Sequence, residues 1–394
     1  MTTLDLDRLR AETPGVAHRI HLNNAGAALM PAPVLDAIRD HLDLEARIGG
    51  YEAADERAAE IAEAHRSVER LLNAPTGTVA FLDSATAAFN AALSSIPFRA
   101  GDVLLTTRND YASNQIAFLS LQRRMGIRVV RAPDTDEGGV DVAQMETLVH
   151  RLRPRLVSIT HVPTNSGLVQ PVADVCRICR DRDVPVIVDA CQSVGQIPLD
   201  VEALDCDFLS ATARKFLRGP RGIGFLYVSD RILSAGLEPL LPDMRAADWI
   251  EEDLYQPAPD ARRFEWWERA YALVLGLGAA ARYAEALGIE AVGRRIRALS
   301  AHARESLASI SQVRVLDRGP DLCGIVTVTV GTLDPAEVVG RLRSHGINTS
   351  VSPREAGVLD FDEKGVEGAV RISPHCYNTA DDIERLTEAI AALV

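Results

Sequence analysis

Lys215 is the residue whose chemistry the rest of this chain cannot supply. Of the 42 lysine and arginine residues, only Lys215 and Lys364 are lysine. An arginine guanidinium stays protonated, whereas a buried lysine amine loses its proton and can attack a carbonyl carbon to form a Schiff base. Lys364 lies in the charged stretch FDEKGVEG, where we expect a solvated side chain. Lys215 is therefore the candidate for Schiff-base chemistry.

A carboxylate precedes Lys215 at the end of a very apolar run. The segment VPVIVDACQ puts Asp189 at the carboxyl end of a predicted strand, which is where open α/β sheets bind ligands. A carboxylate there needs a cationic partner. The protonated ring nitrogen of pyridoxal 5′-phosphate (PLP) supplies one, and the pairing keeps the ring an effective electron sink. The alternative is that Asp189 caps the following helix.

A third segment, VAFLDSATAAFNAAL, predicts a strand, a turn of small residues and a helix. Backbone amides at the start of that helix, around Ala85 to Ala87, together with the Thr86 hydroxyl, would bind a phosphate with help from the helix dipole. Taken alone the pattern is weak, because serine and threonine cap most helices. Thr212 and Arg214, which flank Lys215, are candidates for further phosphate contacts.

These residues are positioned by an α/β pattern, in which helical stretches alternate with short strands. Continuous apolar strands at 184–190, 206–211 and 223–228 favour a mostly parallel central sheet. We expect a long helix over 268–287, followed by a second, smaller α/β block. The predicted domains are an N-terminal segment (1–20) that packs with the small domain, a large cofactor-binding domain (21–260), and a linking helix with the small C-terminal domain (261–394).

The composition and net charge limit the classes of ligand that this chain is expected to bind. A net charge of −13 disfavours nucleic acid and anionic lipid, so a small molecule is the expected ligand. The acidic start and the absence of a long apolar run indicate no membrane segment and a cytoplasmic location. The six scattered cysteines suggest reduced thiols. Cys176 and Cys179 form a C-x-x-C without a second pair, and we predict no metal site.

The ordered set of Asp189, Gln192 and Lys215, with GPRGIG behind it, resembles the class V aminotransferase and cysteine desulfurase group of fold type I PLP enzymes. The resemblance runs from HLNNAGAALMP at 21–31 to RISPHCYNT at 371–379. It implies a three-layer large domain with a mostly parallel sheet and a smaller C-terminal α/β domain. It also implies that Lys215 holds PLP as a Schiff base, that Asp189 pairs with the ring nitrogen, and that Gln192 contacts the phenolic oxygen.

Further roles follow only from this resemblance. Tyr111 falls where the family places an aromatic ring, usually histidine, against the cofactor, and Thr164 falls near the family's asparagine. Arg371 matches the arginine that grips the substrate α-carboxylate, and Asn24 is a second candidate substrate contact. The alternatives are that Tyr111 is a core residue, that Arg371 forms a structural ion pair, and that Gln192 starts a helix.

The chain departs from the desulfurase pattern at one loop. A desulfurase carries a thiol there to accept sulfur, but the corresponding stretch HGINTSVSPREAGVLD contains no cysteine. The remaining likeness is to the branch that contains hercynylcysteine sulfoxide lyase and, more loosely, isopenicillin N epimerase. It implies a C–S lyase that eliminates sulfur from an S-substituted cysteine, giving pyruvate and ammonia. An epimerase, an aminotransferase or a decarboxylating oxidative deaminase remains an alternative.

The stretch RRFEWWERAY at 262–271 lies where this family contributes residues to the partner subunit's site. On that interpretation Trp267 and Glu268, with Trp266 and Arg269, shape a pocket for a bulky substrate, and the enzyme is a homodimer with its sites at the subunit interface. The alternative is a helix start with two packed tryptophans.

Overall fold

The computed structural model describes residues 4–394. The helices of this part of the chain are α1 Leu6–Ala11, α2 Ala32–Ile48, α3 Gly50–Glu56, α4 Ala58–Leu71, α5 Ala85–Ser95, α6 Ala112–Met125, α7 Val142–Leu152, α8 Val172–Arg180, α9 Val201–Leu204, α10 Asp230–Ser234, α11 Tyr271–Leu287, α12 Ile289–Ala308, α13 Pro335–Ser344, α14 Val358–Lys364 and α15 Ala380–Ala391. Short 3₁₀ turns are Pro14–Ala17, Ala261–Phe264 and Arg354–Ala356.

The strands are β1 Ile20–His21, β2 Val79–Leu82, β3 Val103–Thr106, β4 Arg128–Arg131, β5 Leu156–Thr160, β6 Val186–Asp189, β7 Phe208–Thr212, β8 Gly224–Val228, β9 Ala247–Glu251, β10 Leu254–Pro257, β11 Val313–Val315, β12 Val326–Val330, β13 Ile347–Asn348, β14 Ser350–Pro353 and β15 Gly368–Ile372.

A seven-stranded sheet forms the centre of the larger unit, in the order β2-β8-β7-β6-β5-β3-β4. Strand β8 runs antiparallel to both of its neighbours, and the other pairs are parallel. Successive residues of a strand point to opposite faces, so that Phe81 joins the core under α2, α4 and α11 while Leu82 joins the core under α5 and α6. The predicted three-layer unit with a mostly parallel sheet is confirmed.

The smaller unit is built on a four-stranded antiparallel sheet in the order β11-β12-β15-β14. Helices α12, α13 and α15 cover it, and their apolar faces join its strands in a separate core. Near the start of the chain, β1 pairs in parallel with β13, and Ile20 is buried in this smaller core. The N-terminal segment therefore contacts the smaller unit, where Arg10 also lies 3.7 Å from Asp382. It contacts the larger unit as well, because Thr13 accepts from Arg218 and Glu12 accepts from Tyr283.

The chain passes from one unit to the other at Gly288, which separates α11 from α12. Helix α11 packs on α2 and α4 of the larger unit, so the predicted boundary at residue 260 falls before a helix that belongs with that unit. Within residues 4–394 no single helix is long and apolar enough to cross a membrane. Only the bent pair of α11 and α12, at 81°, reaches that length and composition together.

One close backbone approach lies beside Lys215. Gly195 has φ +92°, and a Cβ built on it would lie 2.3 Å from the carbonyl carbon of Phe216. A side chain at this position is disfavoured both by the left-handed backbone and by the lack of space. Gly195 therefore lets the turn after β6 lie directly against the turn that carries Lys215.

We expect Gly195→Ala to lower the free energy of unfolding by about 1–3 kcal/mol, because it combines a strained backbone with a steric clash. The matched control is Gly340→Ala in α13, where no atom lies within 4 Å of the added Cβ. A mid-helix glycine costs roughly 0.5–1 kcal/mol relative to alanine, so this variant should be slightly stabilised. Chemical denaturation of both variants checks the difference, and equal effects would contradict the assignment.

Candidate active site

A cavity of about 290 Å³ opens at the carboxyl ends of the parallel strands. Its walls come from the starts of α5 and α6, from the turns after β6 and β7, and from the turn before β8. The lining residues are Asp83, Ser84, Ala85, Thr86, Tyr111, Asn114, Asp189, Cys191, Thr212, Arg214, Lys215, Arg221 and Gly222. This volume is close to the lower limit of small-molecule sites, roughly 300 Å³.

Lys215 is buried, and its Nζ lies 5.9 Å from the centre of the Tyr111 ring. Burial lowers the pKa of this amine. The nearby Cys191 and Asp189 oppose that shift, whereas the positive charges of Arg214 and Arg371 add to it. The result is an amine with a larger uncharged fraction near neutral pH, which is the form that attacks a carbonyl.

Asp189 ends β6 and points its buried carboxylate into the same cavity. One oxygen accepts the backbone N–H of Cys191 at 2.9 Å, and the other accepts the amide of Asn114 at 3.0 Å. These bonds use the carboxylate as an acceptor only. In the structure Asp189 does not cap a helix, because the residues after it form a turn rather than a helix.

The other end of the cavity can hold a phosphate. Ser84 caps α5 and accepts the N–H of Ala87 at 3.1 Å, so the Ala87 amide, which the sequence included in the predicted anion site, is already occupied. Ala85 and Thr86 line the cavity at the positive end of the helix dipole. Thr212, Arg214 and Arg221 face them. Two guanidinium groups at a helix N-terminus suit a dianionic phosphate.

Arg371 lies on β15 of the smaller unit and is buried, and no carboxylate among residues 4–394 pairs with it. Its Nη1 donates to the Thr164 carbonyl oxygen at 3.1 Å and to the Thr164 hydroxyl at 2.6 Å, and its Nε has no partner. Burial, reinforced by Arg214, lowers the pKa of Arg371 to about 10. The structural ion pair considered from sequence does not form, and the free Nε suits an anionic ligand.

Thr164 links Arg371 to Gln192. The Gln192 amide donates to the Thr164 hydroxyl at 3.0 Å and to the Ala25 carbonyl at 3.1 Å, and its own oxygen is buried without a partner. The neighbouring Asn165 turns away and donates to Asp360 at 2.7 Å, so it does not take the place of the family's asparagine. Thr164 is therefore the polar side chain that lies between Gln192 and Arg371.

Three expectations need correction. Asn24 is fully buried, and its amide bonds only to His21, Ser373 and Tyr377, so it fastens the N-terminal segment rather than contacting substrate. Lys364 is not solvated, because its side chain is 4% exposed and paired with Asp360 at 2.7 Å.

The third correction concerns residues 265–270, which precede α11 instead of beginning it. Trp266 packs on the core, whereas Trp267 is 46% exposed, so the two tryptophans are not both packed. Arg269 pairs with the buried Glu265 at 2.8 Å and is not free for a ligand. Glu268 lines a narrow cleft that shares Asp83 and Gly222 with the main cavity.

Sequence reasoning did not single out several residues that line the cavity, among them Asn114, Cys191 and Arg221. Asn114 follows Tyr111 by about one helical turn, which is a recognisable signal once α6 is placed. Cys191 lies between two predicted site residues, and Arg221 lies in the quoted GPRG turn. Tyr111 itself is half-buried in the cavity wall rather than in the core.

These groups fit PLP on their own chemistry. A buried amine with a lowered pKa, a hydrogen-bonded carboxylate and an anion site stand around one cavity, and the buried Gln192 oxygen and Arg371 Nε lack partners within the described residues. An unpartnered buried polar atom is costly unless a ligand satisfies it. Lys215 would hold the aldehyde and Asp189 the ring nitrogen, with the α5 end and its arginines on the phosphate.

We expect PLP to join Lys215 at a lower pH than an ordinary lysine amine, because the lowered pKa keeps the nucleophilic form populated below 10.5, the usual value. Adding PLP to cofactor-free protein across a pH series, with borohydride trapping and peptide mass analysis, measures this. Lys215→Arg should give no adduct, and an adduct on another residue of that variant would contradict the assignment.

Comparisons with known proteins agree with this geometry. The family model for aminotransferase class-V matches residues 20–386. The chain is 31% identical to a probable hercynylcysteine sulfoxide lyase of Mycobacterium tuberculosis over 388 residues, covering 98% of this chain and 93% of that protein. It is 28% identical to a probable cysteine desulfurase of Methanothermobacter thermautotrophicus over 400 residues, covering 99% and 98%.

Among solved structures, the apo cysteine desulfurase of Thermococcus onnurineus NA1 superimposes with a TM-score of 0.92 at 24% identity, covering 100% of this chain and 99% of that one. This likeness shows the fold. The family match extends across both units and confirms the resemblance and the cofactor that the sequence predicted. The chain therefore belongs to the aminotransferase class-V family and is a PLP-dependent enzyme.

Proposed function

We propose that the enzyme is a C–S lyase that acts on an S-substituted cysteine, a thioether or sulfoxide conjugate, and releases a thiol or sulfenate, pyruvate and ammonia. The observation that carries this proposal is the buried Arg371, whose Nε has no partner among the described residues and whose charge acts on the Lys215 amine. Together they supply a grip for an amino-acid carboxylate and a base near its Cα.

The residues divide the work as follows. Arg371 binds the substrate carboxylate through its free Nε and fixes the Cα–H bond relative to Lys215. Bound PLP supplies the electron sink at Cα. The free amine of Lys215 would take the Cα proton as a base. The electrons of that C–H bond expel the sulfur from Cβ, and water converts the remaining unsaturated amine to pyruvate and ammonia.

A persulfide mechanism is disfavoured by the thiols available. No cysteine occurs between Cys323 and Cys376, a range that includes the whole segment from β13 to α14. Cys191 does line the cavity, but it is held in the turn after β6 through its N–H bond to Asp189. Burial raises the pKa of the Cys191 thiol far above neutrality, with Asp189 adding to the rise. Such a thiol is a poor nucleophile.

The similarity to a probable hercynylcysteine sulfoxide lyase supports this reaction class over the full chain. A conjugated substrate also needs space beyond the reacting atoms. The cleft lined by Glu268 borders the main cavity at Asp83 and Gly222, but it holds only about 20 Å³ and has to widen to accept a distal group. We place the distal group of the substrate in this direction, with Trp267 and Glu268 contributing to its recognition.

We further propose that the enzyme is a homodimer. The hairpin of β9 and β10 and the segment before it expose several large apolar side chains, which is unusual for a surface that faces water. They are Leu240, Leu241, Met244, Trp249, Ile250, Leu254 and Tyr255. This surface leads directly into residues 262–271, so a second copy seated on it would bring Trp267 and Glu268 near the interface.

Incubation with S-substituted cysteines should yield pyruvate and ammonia without any keto-acid acceptor, with products identified by mass. Arg371→Lys should raise KM roughly 10-fold or more, because the ammonium of lysine cannot donate to Thr164 and to the substrate carboxylate in the fixed planar geometry of the guanidinium. The control is Arg304→Lys, a partly buried arginine paired with Asp317 at 2.8 Å in the smaller unit, which should change stability but not KM. A keto-acid requirement would favour an aminotransferase, and product of inverted configuration an epimerase.

Trp267→Ala should raise KM for a bulky conjugate several-fold while PLP content stays at the wild-type level, because the indole contacts the distal group and not the cofactor. The control is Met125→Ala, an exposed apolar side chain at the end of α6 that lies outside both the cavity and the proposed dimer surface, and it should leave KM unchanged. An unchanged KM for Trp267→Ala would remove this residue from the proposed pocket.

A further inference from the structure

Asp110 is a fully buried carboxylate behind the cavity, and the proposed reaction does not use it. Five donors converge on its two oxygens. They are the Thr106 hydroxyl (2.9 Å), the Tyr111 backbone N–H (2.7 Å), the Asn114 amide (3.1 Å), the Gln115 amide (3.0 Å) and the Thr160 hydroxyl. A buried acid with this many donors is a built arrangement, because each bond offsets part of the cost of removing the carboxylate from water.

Asn114 joins this acid to the site. Its amide nitrogen donates to Asp110 at 3.1 Å and to Asp189 at 3.0 Å. An amide nitrogen carries two hydrogens, so each carboxylate takes one of them. The Asn114 side chain therefore cannot rotate without losing both bonds, and the direction of the Asp189 oxygen is fixed by the position of Asp110.

Asp110 also holds the aromatic wall. Its Oδ1 accepts the backbone N–H of Tyr111, the residue that precedes α6 and lies 5.9 Å from Lys215. The same oxygen thus contacts both Tyr111 and Asn114. Asp110 therefore helps to place both the Tyr111 ring beside Lys215 and the carboxylate of Asp189.

The charge of Asp110 bears on the site as well as its geometry. Burial raises the pKa of the Asp110 carboxyl, Asp189 adds to the rise, and the bonds from Thr160, Asn114 and Thr106 oppose it. Three of its donors are N–H groups, which require an acceptor and so favour the ionised form. Several charged or titratable groups surround Asp110 and Asp189. They are Tyr111 before α6, Arg131 on β4, which donates to Gln115, Cys191 after β6, Arg214 and Lys215 after β7, and Arg371 on β15.

We propose that Asp110 is a positioning residue for the cofactor, acting on Asp189 through the amide of Asn114 and on Tyr111 through its backbone. The inference rests on the proposed role of Asp189 as partner of the PLP ring nitrogen. Because Asp110 is proposed to position groups that contact PLP, the proposal is tested by measuring PLP binding as well as turnover.

In the first test, Asp110→Asn should weaken PLP binding to cofactor-free protein by about 10-fold, in line with losses at residues that orient ligand-binding groups. The pH midpoint of the absorbance change of the lysine-bound cofactor should move to lower pH. The reason is that a negative charge that favours the protonated form has been removed. A fluorescence titration and a spectroscopic pH series measure the two effects.

The second test asks whether Asp110 acts through Asn114. Asn114→Leu keeps the side-chain size but breaks both bonds, and it should also weaken PLP binding. In the double variant, the loss of affinity should be clearly smaller than the product of the two single losses. Losses that multiply would contradict the proposed action of Asp110 through Asn114. Wild-type affinity in Asn114→Leu would also contradict it, and that result can be obtained even if Asp110→Asn does not fold.

The matched control is Asp207→Asn. Asp207 is another buried carboxylate, but it lies at the amino end of β7 and accepts the Val186 N–H at 2.9 Å and the Arg231 guanidinium at 2.9 Å. It should lower Tm and leave PLP affinity and the pH midpoint unchanged. The proposal is overturned if Asp110→Asn behaves in the same way. If the wild-type protein binds no PLP, the proposed function is wrong. That result differs from a failure of the Asp110 proposal alone, in which the wild-type protein binds PLP and Asp110→Asn binds it equally well.

Discussion

The site depends on burying two cationic side chains, Lys215 and Arg371, neither of which is paired with a carboxylate in the part of the chain that the structure describes. Desolvation penalises the charged form of each, which for lysine produces a usable neutral amine and for arginine leaves a cation that favours an anionic ligand. A nearby acid at ion-pair distance would have relieved this cost and removed the chemistry. Asp189 is near enough to influence Lys215 but is bound instead to Asn114 and the backbone of Cys191.

The fold brings these groups together because the parallel strands end at one edge. Lys215 follows β7, Asp189 ends β6, and the start of α5 lies beside β8, where Gly224 is so close that a Cβ would lie 2.6 Å from the Ala85 nitrogen. Only Arg371 arrives from the smaller unit, and Thr164 connects it to the larger one. The relative position of the two units is therefore part of the geometry of the substrate site.

Much of this could be predicted from sequence. The strands predicted at 206–211 and 223–228 appear as Phe208–Thr212 and Gly224–Val228, because each is a continuous apolar run that is buried on both faces of the sheet. The helix predicted from 268 begins at Tyr271, because Glu265 binds Arg269 and Arg245 and holds the preceding residues in an irregular path. Asn24 and Asn114 could not be distinguished by residue type. The Asn24 amide donates to backbone carbonyl oxygens, whereas Asn114 lines the cavity. Only the three-dimensional packing distinguishes their roles.

The scarcity of lysine has a consequence for how the protein meets a free aldehyde. Lys364, the other lysine, keeps its side chain 4% exposed and tied to Asp360, and the many surface cations are guanidinium groups. Side-chain amines that would form Schiff bases with aldehydes are thus almost absent from the surface of the described residues. An aldehyde cofactor therefore meets few competing side-chain amines besides Lys215.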